Sequence, residues 1–147
     1  MNTKADPHDL NRFLAAQTSD FQTALSELRR GRKTSHWIWY IFPQVAGLGK
    51  SQMARHYAIQ SKDEAIAYLA HPVLGPRLIE CAEGLLLNWG DSIETIMGFP
   101  DHRKLNSSMT LFAEISAPNS VFQQVLDVFY RGRKDQITLQ CLANHPS

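Results

Sequence analysis

The chain has 147 residues, 44% hydrophobic and 20% charged, with a formal net charge of +1, which describes one domain able to bury a core without disulfide or metal staples. Near-zero charge supplies no field to draw it onto nucleic acid or anionic lipid. No apolar run reaches membrane-spanning length, no signal-like apolar region opens the chain, and Cys81 and Cys141 form no CxxC pair, so a reduced, cytoplasmic protein that needs no membrane is expected.

Asp9 is placed to cap a first helix with Leu10, Phe13 and Leu14 on its apolar face. The polar run Thr18-Ser19-Asp20 then separates it from a second helix that begins at Phe21, continues through Leu25 and Leu28, and stops at Gly31. Ser35 to Ile41 is open between helix and strand, and Pro43 ends it either way. Ser51 predicts a helix through Ile59. Ser61-Lys62-Asp63-Glu64 is a capping-box pattern ahead of Ile66, Tyr68 and Leu69, and His71-Pro72 breaks that helix.

The longest helix is expected from about Val73 to Trp89, with Pro76 in its first turn and Gly90 at its end. Asp91 or Ser92 caps a short helix to Met97, and Pro100 opens one bearing Leu105, Met109, Leu111, Phe112 and Ile115. Asn119 or Ser120 caps the next, which ends at Gly132, and Asp135 caps a last short helix through Leu142. The pattern predicts a compact, all-α, single-domain bundle of about seven or eight helices over residues 9–143, with 1–8 and 144–147 frayed.

The stretch GRKTSHWIWYIFPQVAGLGKSQMARHY, Gly31 to Tyr57, concentrates cations, a histidine, aromatic faces and permissive glycines as the wall of a site would. Within it, Gly47-Leu48-Gly49-Lys50-Ser51 departs from a phosphate loop, because position 44 is Gln44 and no strand precedes it. Glycines before a helix N-terminus still suggest an anion nest, set against an ordinary loop capped by Ser51. Trp37 and Trp39 can stack on a ring: an extended segment puts both on one face, a helical one leaves at most one on a pocket. His36, beside Lys33 and Ser35, is the candidate proton carrier.

A second polar run, Asp101-His102-Arg103-Lys104-Leu105-Asn106-Ser107-Ser108, would place Lys104, Ser107 and Ser108 on one helix face, a set suited to phosphate or ribose. The tetrapeptide Arg30-Gly31-Arg32-Lys33 recurs as Arg131-Gly132-Arg133-Lys134. Each reads either as a helix C-cap whose cations complement the dipole or as one of two basic turns facing one anion. No histidine or cysteine spacing supports a metal site, and no GxSxG elbow supports a serine hydrolase.

The segments GRKTSHWIWYIFPQVAGLGKS, MARHYAI, EAIAYLAHPVLGPRL, FPDHRKLNSSMTLF and VLDVFYRGRKDQITL closely resemble a bacterial and fungal family of unknown function whose members often carry the label calpastatin. The resemblance runs from about Leu10 to Leu142 and implies a compact all-α fold and a cytoplasmic setting, with no established activity. Its pattern marks Lys33, Ser35, His36, Trp37, Trp39, Phe42, Pro43, Gln44, Gly47, Gly49, Ser51 and Tyr57, then His71, Pro72, Leu74, Gly75, Pro100, Asp101, Lys104, Ser107, Ser108 and Phe112, and finally Tyr130, Gly132, Asp135 and Thr138. Calpastatins are disordered protease inhibitors, whereas this composition is that of a folded domain.

The expected function is binding, and in an enzymatic version processing, of an anionic nucleotide-like or ADP-ribose-like small molecule, with no resident cofactor or metal. Lys33 and Lys104 would contact phosphate, Trp37 or Trp39 would stack on a ring, and His36 would carry the proton. Ser35, Gln44, Gly47, Gly49, Ser51, Tyr57, Asp101, Ser107, Ser108 and Tyr130 complete the set, which requires the two motifs to meet in the fold. One alternative is a protein-binding adaptor with an exposed apolar patch at Trp37 to Phe42. Another is RNA binding through Arg29–Lys33 and Arg131–Lys134, against which the near-zero net charge counts.

Overall fold

In the computed structural model, which describes residues 5–144, a single 20-residue helix, α1 (Asn11–Arg30), takes the place of the two short helices expected around Thr18-Ser19-Asp20. None of those three residues breaks a helix as glycine or proline would. The Thr18 hydroxyl donates to the Leu14 carbonyl at 2.9 Å within its own turn, while Phe13, Gln17, Phe21, Ala24, Leu25 and Leu28 make one unbroken buried stripe. The N-terminal cap is also one turn earlier than expected. Asp6, not Asp9, accepts from the Leu10 and Asn11 amides at 2.8 and 3.0 Å, and those bonds hold its carboxyl below the usual carboxylate range. Residues 6–8 are therefore tied to α1 where fraying was expected, and residues 1–4 and 145–147 lie outside the described chain.

Eight further helices follow among the described residues: α2 (Ile38–Ile41), α3 (Gln52–His56), α4 (Lys62–Ala70), α5 (Leu74–Leu86), α6 (Ile93–Met97), α7 (Asp101–Glu114), α8 (Val121–Tyr130) and α9 (Gln136–Asn144). The fold is all-α, and none of these helices is long and apolar enough to cross a membrane. The serine caps fall where the sequence puts them: Ser51, Ser61, Ser92 and Ser120 each accept from the amide three residues on. Asp135 does the same for Thr138 at 2.9 Å. Of Ser35 to Ile41 only Ile38–Ile41 is helical, a single turn preceded by the non-helical residues Ser35 to Trp37, and the two tryptophans differ in burial, Trp37 buried and Trp39 half-buried.

Two expected lengths are too long. The Ser51 helix stops at His56 rather than Ile59 because Ile59 and Val45 form a parallel bridge. α5 stops at Leu86, well short of Trp89, and at 13 residues is shorter than α1 and α7. There Asn88 turns back and donates to the Leu28 carbonyl at 2.8 Å, closing the C-terminus of α1. Gly31, at φ +79, makes room for it, since a Cβ would lie 2.6 Å from Asn88 Oδ1.

The core is strung on four fully buried rings. Phe13, Tyr68, Phe112 and Phe122 follow one another at centroid distances of 4.9, 5.5 and 5.7 Å, joining α1, α4, α7 and α8. The α4–α5 corner is closed by Gly75, where a Cβ would lie 2.1 Å from the Leu69 carbonyl oxygen. Gly75→Ala is expected to cost about 2 kcal/mol despite alanine's better helix propensity, because backbone rather than a side-chain tip must shift. Urea unfolding checks this, and an unchanged midpoint would mean the corner relaxes freely.

Candidate functional site

The turn between α1 and α2 is organised by a carboxylate that lies outside every motif named above. Glu27 is 3% exposed. Its Oε1 accepts from the amides of Thr34 (2.9 Å) and Ser35 (3.1 Å) and from Trp37 Nε1 (2.9 Å). Its Oε2 accepts from the hydroxyls of Thr34 and Ser35 at 3.0 and 2.5 Å. Burial pushes the Glu27 pKa up, but the bonds from Ser35, Thr34 and Trp37 outweigh it and bring it down to about 2. The signal was available: Glu27 lies three residues after Ala24, on the apolar stripe of α1, where a charge needs partners.

This hub withdraws two expected ligand contacts. Trp37 is 1% exposed, a core residue rather than a stacking platform, and the Ser35 hydroxyl is committed to Glu27. Lys33 is also spent. With a side chain only 5% exposed, its Nζ lies 2.7 Å from Asp101 Oδ2, donates to the Ser35 carbonyl at 2.5 Å, and sits 4.7 Å over the Trp37 ring. The expected phosphate contact by Lys33 therefore gives way to an internal ion pair. That pair nonetheless joins the two motifs.

One turn on, Lys104 lies 3.8 Å from Asp101 Oδ1 and 5.3 Å over the ring of Trp39, with its side chain 30% exposed. Two ammonium groups thus share one carboxylate, which leaves net positive charge beside Trp39. Ser107 and Ser108 do not join them on an exposed face. Ser107 donates to the Arg103 carbonyl of its own helix at 3.3 Å, and Ser108 is fully buried, its hydroxyl without a partner among the described residues.

Trp39 is the half-buried member of the aromatic segment. It walls a cavity of about 110 Å³ together with Gln44, Gly47, Gly49, Arg55, Tyr57 and Gln60. Its Nε1 is enclosed and has no hydrogen-bond partner among the described residues. The loop is pinned by two backbone bonds, Ala46 N–H to the Ile59 carbonyl and Ile59 N–H to the Gln44 carbonyl, both 2.8 Å. Gly47 holds φ +101, and a Cβ on Gly49 would strike Ala54 Cβ at 2.4 Å. Gly47 therefore answers to backbone conformation and Gly49 to the close approach of α3 at Ala54. Ser51 is occupied as the cap of the five-residue α3, bonding the Ala54 amide, so it is absent from the cavity wall. Tyr57 packs its ring on Tyr40 and Phe13 at 5.2 and 5.8 Å.

The two basic turns do not converge. Lys33 pairs with Asp101 in the first turn of α7 and Lys134 with Glu114 at its last residue. At 1.5 Å rise per residue that separates them by about 20 Å.

Residues 7–142 match the family described as "Protein of unknown function (DUF1810)". This chain belongs to that family. It is also similar to the crystal structure, at 1.38 Å, of the conserved hypothetical protein Rv1873 from Mycobacterium tuberculosis, with 46% identity over 97% of this chain and 99% of that one, and a TM-score of 0.90. No curated protein matches it. Neither description carries an activity or the calpastatin label.

In this DUF1810 protein the remaining expected residues fall outside the cavity wall. His36 is exposed, and its ring makes no hydrogen bond among the described residues; only its carbonyl is used, by Tyr40. Tyr130 donates to the His102 carbonyl at 2.5 Å, and burial raises its pKa above the ordinary tyrosine value. Arg55, which is in none of the candidate sets, does reach the cavity, and it is exposed and in no ion pair among the described residues. Its signal in the sequence is a cation one turn into the helix that follows the Gly47–Ser51 glycine loop. Among the described residues no group of three or more His, Cys, Asp or Glu side chains is placed to hold a metal.

Proposed function

We propose that this DUF1810 protein binds a small anionic ligand of nucleotide type, with one end in the Trp39 cavity and its negative group drawn to Arg55 and Lys104. The observation that carries this is the Trp39 wall. It combines a half-buried indole, an exposed arginine in no ion pair among the described residues and two glutamines on one concavity, and the Lys104 ammonium lies over the same indole ring from outside the cavity wall. At about 110 Å³ the cavity is smaller than the roughly 150 Å³ that encloses a benzene ring. A mononucleotide or sugar phosphate inserted by one end fits the reading better than an enclosed ADP-ribose or dinucleotide. The reading is of binding alone, because His36 stands in solvent and off the cavity wall. The adaptor alternative loses its surface, since Trp37, Ile38, Tyr40, Ile41 and Phe42 are all buried.

Thermal shift with a panel of mononucleotides, sugar phosphates, ADP-ribose and NAD tests the proposal. A true ligand at about a hundred times its Kd adds roughly 2.7 kcal/mol, a rise of some 5–10 °C for a chain of this size. The shift is expected to disappear in Trp39→Ala and Arg55→Ala and to persist in Arg30→Ala. No shift with any compound, or a shift indifferent to Trp39, would sink the proposal.

A further inference from the structure

The two identical tetrapeptides cap their helices in different registers, and the difference leaves two arginines without a task. After α1 the left-handed residue is Gly31, and the cations beyond it are spent: Arg32 donates to the Thr95 carbonyl at 3.3 Å and Lys33 pairs with Asp101. After α8 the left-handed residue is Arg131, at φ 55 and ψ 35, with Gly132 following at φ 74. A non-glycine residue in that conformation is strained, and glycine is its usual occupant at a helix C-terminus.

The second turn is nonetheless held firmly. His102, Asn106 and Thr110 stand at i, i+4 and i+8 on α7 and fasten it in three places. The His102 carbonyl accepts from Tyr130 Oη at 2.5 Å, Asn106 Nδ2 donates to the Arg133 carbonyl at 3.3 Å, and the Asp135 amide donates to Thr110 Oγ1 at 2.9 Å. Gly132 N–H to the Leu126 carbonyl and Arg133 N–H to the Tyr130 carbonyl close it from within. Lys134 is neutralised by Glu114 at 2.6 Å, and Asp127, the acid beside Gly132, is engaged by Gln123 at 3.0 Å.

Arg131 and Arg133 remain, both exposed and in no ion pair among the described residues. They border a surface hollow of about 330 Å³ walled by Asn106, Phe129 and Tyr130. We infer that this hollow is a second anion site, separate from the Trp39 cavity, taking a phosphoryl dianion carried by a small molecule. Two guanidinium forks on a pre-ordered turn match the oxygens of such a group, and the strain at Arg131 is retained where glycine would remove it.

Calorimetric titration with pyrophosphate tests the site. Wild type is expected to bind, and Arg131→Gly to lose at least about tenfold in affinity while its urea midpoint rises, because the substitution relieves the left-handed strain. Arg133→Ala is expected to weaken binding likewise, and Arg55→Ala to leave it unchanged, which separates this site from the Trp39 cavity. Pyrophosphate affinity equal in wild type and Arg131→Gly would overturn the inference. So would loss in Arg55→Ala, or a ten-nucleotide RNA that binds while pyrophosphate does not.

Discussion

Glu27→Ala is expected to lower the unfolding free energy by about 4 kcal/mol, read as a drop in urea midpoint at neutral pH. Removing the carboxylate leaves the Thr34 and Ser35 amides and the Trp37 indole N–H buried or half-buried without their acceptor, and opens a void in a region where Trp37 is 1% exposed. Glu27→Gln makes the contrast. Its amide oxygen can replace Oε1 toward the three N–H donors, and the Thr34 and Ser35 hydroxyls can rotate to accept from its NH₂. That variant is expected to lose only about 1–2 kcal/mol, the charge assistance of the bonds.

The pH dependence follows with a definite sign. The folded pKa of Glu27 is depressed from an ordinary 4.5 to about 2, so its stabilisation is fully present above pH 4.5 and is lost as pH falls toward 2. The gap corresponds to roughly 3 kcal/mol. Wild type should therefore lose stability across that window more steeply than Glu27→Gln, which has no carboxyl to protonate. Parallel acid profiles for the two proteins would show that the turn does not depend on the charge.

Arg12→Met is expected to cost a similar amount, about 4 kcal/mol. The Arg12 guanidinium donates from every nitrogen. Nε bonds the His56 carbonyl at 2.9 Å, Nη1 the His8 and Asp9 carbonyls at 2.6 and 2.7 Å, and Nη2 the Ala58 carbonyl at 2.9 Å and Glu64 Oε2 at 2.6 Å. The Arg12 and Glu64 side chains are 9% and 3% exposed, so removing one charge strands the other in a low dielectric. Adding Glu64→Leu should recover part of the loss, leaving a coupling of about 2 kcal/mol in a double-mutant cycle. Strict additivity would contradict an ion pair of this kind. Because Arg12 holds the carbonyls on either side of Tyr57, Arg12→Met is also expected to blunt the ligand-induced thermal shift proposed for the Trp39 cavity.

Five helix starts were legible in the sequence because a cap is a local device. Ser51, Ser61, Ser92, Ser120 and Asp135 each need only an amide three residues ahead. The start of α1 was not legible, because Asp6 and Asp9 both precede its apolar stripe and only the folded turn selects Asp6; elsewhere the differences arise where a distant partner intervenes. Thr18-Ser19-Asp20 reads as a gap until the continuous stripe from Phe13 to Leu28 finds its core, and α5 reads as longer until Asn88 is seen reaching the end of α1. The candidate site was legible as a region and not as a set of contacts. Gln44, Gly47, Gly49, Tyr57 and Trp39 do line one cavity, and Lys104 stands over its tryptophan, whereas Lys33, Ser35, Trp37 and Ser108 are turned inward.

Helical class, the five serine and aspartate caps and family membership follow from the residues themselves, since apolar period, caps and motif strings act over a turn or a short stretch of chain. Which polar group still has a free charge or donor was decided only by the tertiary structure. Lys33 and Arg55 are both cations beside the same aromatic segment, yet Asp101 from a remote helix neutralises one and nothing among the described residues neutralises the other. Availability depends on burial and on the partner that folding brings within a few ångströms, and neither is a property of local sequence.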